Sequence, residues 1–319
     1  MNVRRFFSRW QNLLGLAIVA LFISMAAAAP VLAPPPENAK EFSVFRSIQD
    51  TNSKAPIPPG QGTIMGTVAT GLRGTHLDVF YTLVWGTRSA LRFGLLVALS
   101  TALVGVLLGA FSAFMGGWVN NLVMRVTDAF LAFPIIVGVV VFEQLLRVSD
   151  RMNTIALISG SNEVIPPSKL EILLSVIDPV MLALILFSWM PYARLVNTLV
   201  LGVKQTDFVQ AARALGASNS RIILRHLVPN SISPAIVLGA RDIGGMVLMQ
   251  ATLTFIGMGG GSEWGELLAI GRRWIIAPGG NPMTYWWVFV PITLALVLFG
   301  IGWNLLGDGL NDWLNPRQN

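Results

Sequence analysis

The sequence predicts an all-α membrane protein of about six transmembrane helices. Three observations predict it. The chain is 54% hydrophobic and 12% charged, with a mean hydropathy of +0.65, whereas soluble domains carry about 25% charged residues. Its apolar residues gather in runs of roughly 20, the length that crosses a bilayer core. Its Lys and Arg residues lie at the ends of those runs rather than on one face. That scatter also argues against a nucleic-acid partner, despite the net charge of +6. The absence of Cys excludes disulfides, Fe–S clusters and thiolate zinc sites.

Taken in order, residues 1–11 form a basic N-terminus with Arg4, Arg5 and Arg9 and no acid. The first transmembrane helix is expected over 12–32. A basic start, an apolar middle and Ala26-Ala27-Ala28-Ala29 also fit a secretory signal peptide. Such peptides have an apolar region of only about 7–15 residues, so length favours a retained span. Residues 33–87 read as an extracytoplasmic segment, stiffened early by Pro34-Pro35-Pro36 and by Pro56, Pro58 and Pro59, with balanced charges.

Residues 88–306 read as a five-helix core. The second span is expected over about 91–115. Gly94, Ala98 and Ala102, then Gly105, Gly109 and Ala113, set small residues four apart, a stripe that lets helix backbones approach. Gly116-Gly117 begins a short turn. The third span is expected over about 122–145, with Arg125 and Asp128 at its cytoplasmic end. Residues 147–176 form a polar, charge-balanced loop interrupted by Pro166-Pro167. The fourth span, about 180–201, contains Pro191 and Arg194. The fifth runs over about 234–258, with Ser233 as its N-cap. An outer loop with Trp264, Gly265, Arg272 and Arg273 leads to the sixth span, about 286–306, and a soluble cytoplasmic tail, 307–319.

The loop at 203–233 is a polar, basic interruption of this apolar chain. Phe208, Ala211, Ala212 and Leu215 recur at helical spacing, and Gly216 supplies a stop. Residues 219–227 read as a second helix carrying Arg221 and Arg225, closed by Pro229. A basic amphipathic loop of this kind lies on the membrane surface or docks against a partner. Six spans put both termini on one side. The basic N-terminus and this loop, with Lys204, Arg213, Arg221 and Arg225 against Asp207, then both face the cytoplasm, as cytoplasmic loops enriched in Lys and Arg should.

Motifs for catalysis are missing. There is no Gly-x-x-x-x-Gly-Lys-Ser/Thr phosphate loop, no His-Glu-x-x-His zinc helix and no Gly-x-Ser-x-Gly elbow. The two histidines, His76 and His226, fall on opposite predicted sides. The chain is therefore expected to be non-catalytic and to draw energy from a partner or an ion gradient. A stand-alone secondary transporter or channel for a small solute is the alternative. Such transporters place ionisable groups or broken helices near mid-membrane. Here Arg125, Asp128, Arg194, Arg241 and Asp242 lie toward cytoplasmic ends and Glu143 toward an outer end. Snorkelling or helix-end stabilisation accounts for each.

The loop resembles the cytoplasmic coupling loop of ABC importer permeases, whose pattern is Glu-Ala-Ala, three residues, Gly, nine residues, then Ile-x-Leu-Pro. Gln210-Ala211-Ala212, Gly216, and His226, Val228 and Pro229 stand at the matching positions. Arg-His-Leu-Val-Pro-Asn at 225–230 is similar to the dipeptide/oligopeptide (nickel) branch. So are the segments 86–91, 124–128 with Phe133-Pro134, 192–196, 253–259 with Trp264-Gly265 and Gly271-Arg272, and 304–310 with Asp312 and Pro316-Arg317. Each is weak alone; in this order they are strong.

The resemblance implies a type I ABC importer permease-like fold with a coupling-helix loop, multi-pass in a prokaryotic cytoplasmic (inner) membrane and bathed in its lipid. It implies a second homologous permease subunit, two ABC ATPase subunits and an extracytoplasmic solute-binding protein. ATP and Mg would sit on the ATPases, with no cofactor bound here. The ATPase contact would fall on Asp207, Gln210, Ala211, Ala212, Arg213, Leu215, Gly216 and Pro229. Di- or oligopeptides would be the cargo, although relatives handle nickel complexes, opines and sugars. The chain departs from the pattern at Gln210 (for Glu) and His226 (for Ile). On the outer side it departs at Val68 (for Asp), in the long 147–176 loop, and at Gly260-Gly261-Ser262. The outer departures bear on the solute rather than on the coupling.

Overall fold

The computed structural model describes residues 3–35, 45–49, 53–70, 75–146, 153, 166, 178–259 and 261–314. Apart from residues 153 and 166, the long loop at 147–176 lies outside them, as do Gly260 and Pro316-Arg317. The chain opens with helices α1 (Val3–Ser8), α2 (Trp10–Ala27) and α3 (Ala29–Leu32), followed by strands β1 (Ser47–Gln49), β2 (Thr67–Ala69) and β3 (Thr75–Asp78). Helices α4 (Val79–Met115), α5 (Gly117–Leu131), α6 (Ile135–Leu146), α7 (Pro179–Ser188) and α8 (Met190–Val203) come next. The polar loop contributes α9 (Asp207–Ala214), α10 (Asn219–Ile222), a π-turn (Ile223–Leu227) and α11 (Val228–Ser231). Helices α12 (Ser233–Phe255), α13 (Glu263–Gly271), α14 (Arg273–Ile276) and α15 (Val290–Leu314) complete it. Among the described residues five helical segments are long and apolar enough to cross a membrane, or six if the bent α5–α6 pair is one span. The helical class and the span count therefore agree with the sequence.

Several boundaries differ. The second span starts at Val79, twelve residues earlier than expected, because Asp78 caps it: its Oδ1 accepts the Tyr81 N–H at 3.2 Å. The resulting 37 residues make about 55 Å of helix at 1.5 Å per residue, well beyond the roughly 30 Å hydrocarbon core. The third span is not straight. Its halves meet at 89°, with Phe133 and Pro134 in the break. Proline has no N–H to give, and its ring collides with the carbonyl four residues back. Ser233 is the first helical residue of α12 rather than its cap, and Ile236 N–H bonds the Ile232 carbonyl instead. The final helix runs on to Leu314 through the residues expected to be a soluble tail. The short sheet was also unforeseen.

The chain divides into two compact units. Residues 96–239 with 310–319 form one. Here Gly105 and Gly109 of α4 meet α8 so closely that an added Cβ would stand 2.4 Å from the carbonyl oxygens of Trp189 and Ala193. The small-residue stripe is thus a packing seam. Asn197 of α8 seals it, donating through Nδ2 to Ser112 Oγ at 2.9 Å and to Asn120 Oδ1 at 2.6 Å. The core below contains Val106, Ala110, Phe114, Tyr192, Val196 and Val200. Arg194 pairs with Asp128 at 2.9 Å, both half-exposed.

Residues 2–95 with 240–309 form the other unit. Its sheet is antiparallel in the order β1-β3-β2, with Leu77 opposite both Ser47 and Val68. His76 is buried against Thr67 Oγ1 at 3.2 Å and the Ser53 carbonyl at 3.3 Å. Four indoles hold the surrounding chain. Trp85 donates to the Ala33 carbonyl, Trp264 to Leu83, Trp274 to Ala69 and Trp287 to Thr67. Trp264 also packs on Phe22 and Phe299, with ring centroids 6.3 and 6.1 Å away. Gly309 is needed for room: a Cβ there would lie 2.6 Å from the Phe6 ring. Arg241 pairs with Asp308.

Candidate docking site

The loop is built from two complementary helix ends. Helix α9 carries Asp207 in its first turn and Arg213 in its last, each the charge that its end of a helix dipole favours. It closes with a paired turn. Gly216 N–H bonds the Arg213 carbonyl and Ala217 N–H bonds the Ala212 carbonyl, both at 3.0 Å. This six-to-one and five-to-two pattern requires a left-handed residue at the turn, and Gly216 supplies it with φ of +79°. Ser218 then caps the next helix, its Oγ accepting the Arg221 N–H at 3.4 Å.

Pro229 does not end that second helix, as the sequence suggested. Helical turns continue to Ser231. A π-turn precedes the proline, in which Val228 N–H reaches back to the Ile223 carbonyl. The wider turn moves aside the carbonyl that the ring would otherwise meet. Pro229 itself is exposed.

Burial decides which side of α9 faces its own subunit. Phe208, Ala211, Ala212 and Leu215 share helical spacing, yet the one side chain α9 buries is Val209, at 1% exposure. Val209 joins Ile222 and Leu227 on the core that holds Phe114 and Val200. Phe208 is 45% and Leu215 87% exposed. Gln210, Ala211 and Arg213 are exposed too, and Ala212 is half-buried. Seven of the residues singled out from the sequence, Asp207, Gln210, Ala211, Ala212, Arg213, Leu215 and Gly216, therefore lie together on one helix and its turn. Pro229 lies farther on, in α11.

Charge is unevenly placed around them. Arg213, Arg221 and Arg225 are exposed beside a single acid, Asp207. Gln210 is tied down, its Nε2 donating to the Gln205 carbonyl at 3.1 Å. Lys204 borders an open cleft with Leu201, Gln205, Gln210, Arg213 and Ala214. Burial, and then the Arg213 guanidinium, hold its amine below the usual lysine range. Sequence reasoning missed Val209, Lys204 and Phe114 as parts of this site. Lys204 and Phe114 touch across 90 residues of chain, a separation with no local sequence signal.

The model of the family described as "Binding-protein-dependent transport system inner membrane component" matches residues 105–319, the whole loop included. Relatives match over most of the chain. "Probable D,D-dipeptide transport system permease protein DdpC" of Escherichia coli K12 is 30% identical over 303 residues, 94% of this chain and 85% of the relative. "Dipeptide transport system permease protein DppC" of Alkalihalophilus pseudofirmus is 29% identical over 96% of this chain and 86% of its own. "Glutathione transport system permease protein GsiD" of Pectobacterium atrosepticum is 32% identical over 77% of this chain and 72% of its own. With that match, these relatives and the apolar spans, the chain belongs to the binding-protein-dependent transport system inner membrane component family, as a membrane-spanning permease subunit of an ABC importer.

Proposed function

We propose that this chain is one of two homologous permease subunits forming a path for di- or oligopeptides, and that its 203–233 loop receives the stroke of two ATP-hydrolysing subunits. The observation that carries this reading is the free face of α9. The helix commits Val209 to its own subunit and turns Phe208, Ala211 and Leu215 outward around a fixed turn. An apolar helix face held that way fits a groove on a partner protein. Asp207, Gln210, Ala211, Ala212, Arg213, Leu215 and Gly216 make the contact, and Pro229 borders it. ATP and Mg stay on the partner subunits, and this chain carries no cofactor of its own. Both termini share the loop's cytoplasmic side, and a solute-binding protein delivers cargo on the other. Peptide cargo is supported by the relatives, whose names specify a D,D-dipeptide, a dipeptide and glutathione.

Co-purification and uptake test this. A tagged subunit should retain the ATPase, and vesicles holding the whole importer should take up a dipeptide only with ATP. Leu215→Glu places a charge on the free face and should lower ATPase retention at least about fivefold without changing the amount of subunit in the membrane. Unchanged retention in that variant would remove the docking assignment. Uptake by the subunit alone, driven by an ion gradient, would remove the importer reading.

A further inference from the structure

Helix α4 ends in a way that involves the loop directly. Its last turn has carbonyls with no partner inside the helix. Gly116 N–H takes that of Ser112 at 2.9 Å. Those of Ala113 and Phe114 both accept from Lys204 Nζ, at 3.2 Å for Ala113. A cation there also meets the negative end of the helix dipole. The same amine stands 5.6 Å from the centre of the Phe114 ring, and the Arg213 guanidinium stands 5.5 Å from it. Val209 and Phe114 share one buried cluster. Three residues of the loop, Lys204, Val209 and Arg213, thus converge on the final turn of one helix.

We propose that Lys204 and Phe114 form a latch that passes movement of the 206–216 helix and turn into the end of α4. Lys204 acts as a positioning residue: it holds Phe114 where Arg213 and Val209 can grip it. Helix α8 holds α4 along the glycine seam and through Asn197, whose Nδ2 donates to Ser112 Oγ and the Gly109 carbonyl; the Lys204 cation, bonded to two carbonyls, ties the loop itself to the last turn of α4. A push on the loop is then a push on a helix uninterrupted back to Val79. This rests on the ATPase-docking reading above.

The test uses the complete importer in vesicles, with dipeptide uptake and ATP hydrolysis measured on one preparation. Lys204→Met should keep the ATPase attached and hydrolysing, while dipeptide taken up per ATP falls at least about fivefold. Lys204→Arg, which keeps a cation and its donors, should recover at least half of the ratio. Phe114→Leu, which keeps apolar bulk but loses the ring, should lower the ratio in the same way and serves if the Lys204→Met subunit fails to accumulate. A wild-type ratio in either variant overturns the latch. So does a proportional fall in both activities with no recovery in Lys204→Arg, the pattern of a merely structural role. Failure of the docking reading looks different, because then the ATPase does not co-purify even with the unaltered chain.

Discussion

The 203–233 loop and the residues around the small sheet are held by different chemistry. Helix α9 of the loop rests on small contacts: one buried valine, a glycine turn and two cations over one phenylalanine ring. The sheet region rests on large ones. Trp264, Trp274 and Trp287 reach strand and helix carbonyls roughly 180 to 220 residues away in the chain. Indoles bury much area and spend their single donor inward, so this region closes on itself. The loop instead leaves Phe208 and Leu215 outside. The loop keeps an apolar face open, as its proposed role with a partner requires, while the sheet region turns Trp85, Trp264, Trp274 and Trp287 inward and leaves Trp286 half-exposed.

That contrast predicts where each region breaks. The largest effect is expected at Trp264, 1% exposed and packed against two aromatic rings. Trp264→Ala should remove about 3–5 kcal/mol of stability, seen as a large drop in the unfolding temperature in detergent and as poor accumulation. Gly216→Val comes next and should act in a different place. A branched residue at positive φ costs about 1–3 kcal/mol locally, although a Cβ there meets open space. The subunit should reach the membrane with a near-normal unfolding temperature, yet uptake should fall about tenfold while ATP hydrolysis continues. Gly216→Asn, which tolerates the left-handed region, should keep most of the uptake. If Gly216→Val instead melts the subunit as Trp264→Ala does, the two regions are not distinct in kind.

The smallest effect is expected at Glu263, in the first turn of α13. Burial pushes its carboxyl up, the Ser89 hydroxyl opposes this, and Glu266 adds to it. A carboxyl whose folded value is raised contributes most below its unfolded value near 4.5. That contribution is lost as pH rises through the folded value, where ionisation in the fold is disfavoured. Glu263→Gln should therefore raise the unfolding temperature at neutral pH, by no more than about 2 °C, and leave it unchanged under acid conditions. A fall at neutral pH would show that the ionised form is a structural partner rather than a burden.

The same contrast explains what the sequence made legible. Spans, the loop and its glycine turn follow from periodicity and from single residues with one conformational use, such as Gly216. Asp78 is a readable cap, yet the run that follows it lies in a stretch whose prolines and balanced charges read as an outer segment. Pro134 is visible in the sequence, but the angle of the bend it makes is not. Which side of α9 turns inward has no local signal: it is decided by where Val209 meets Phe114, about 95 residues earlier in the chain. The indole tethers share that property, since no local pattern announces which carbonyl a tryptophan will reach.

One junction has a mechanical meaning of its own. Asp78 is both the last residue of β3 and the cap of α4, so strand passes into helix with no linker. In engineering terms the joint has no backlash. A single inserted residue would turn the helix by about 100° relative to the strand that starts it. The pairing of Leu77 with Ser47 and Val68 thereby sets the rotational phase of a helix 37 residues long. Three short strands act as its index mark.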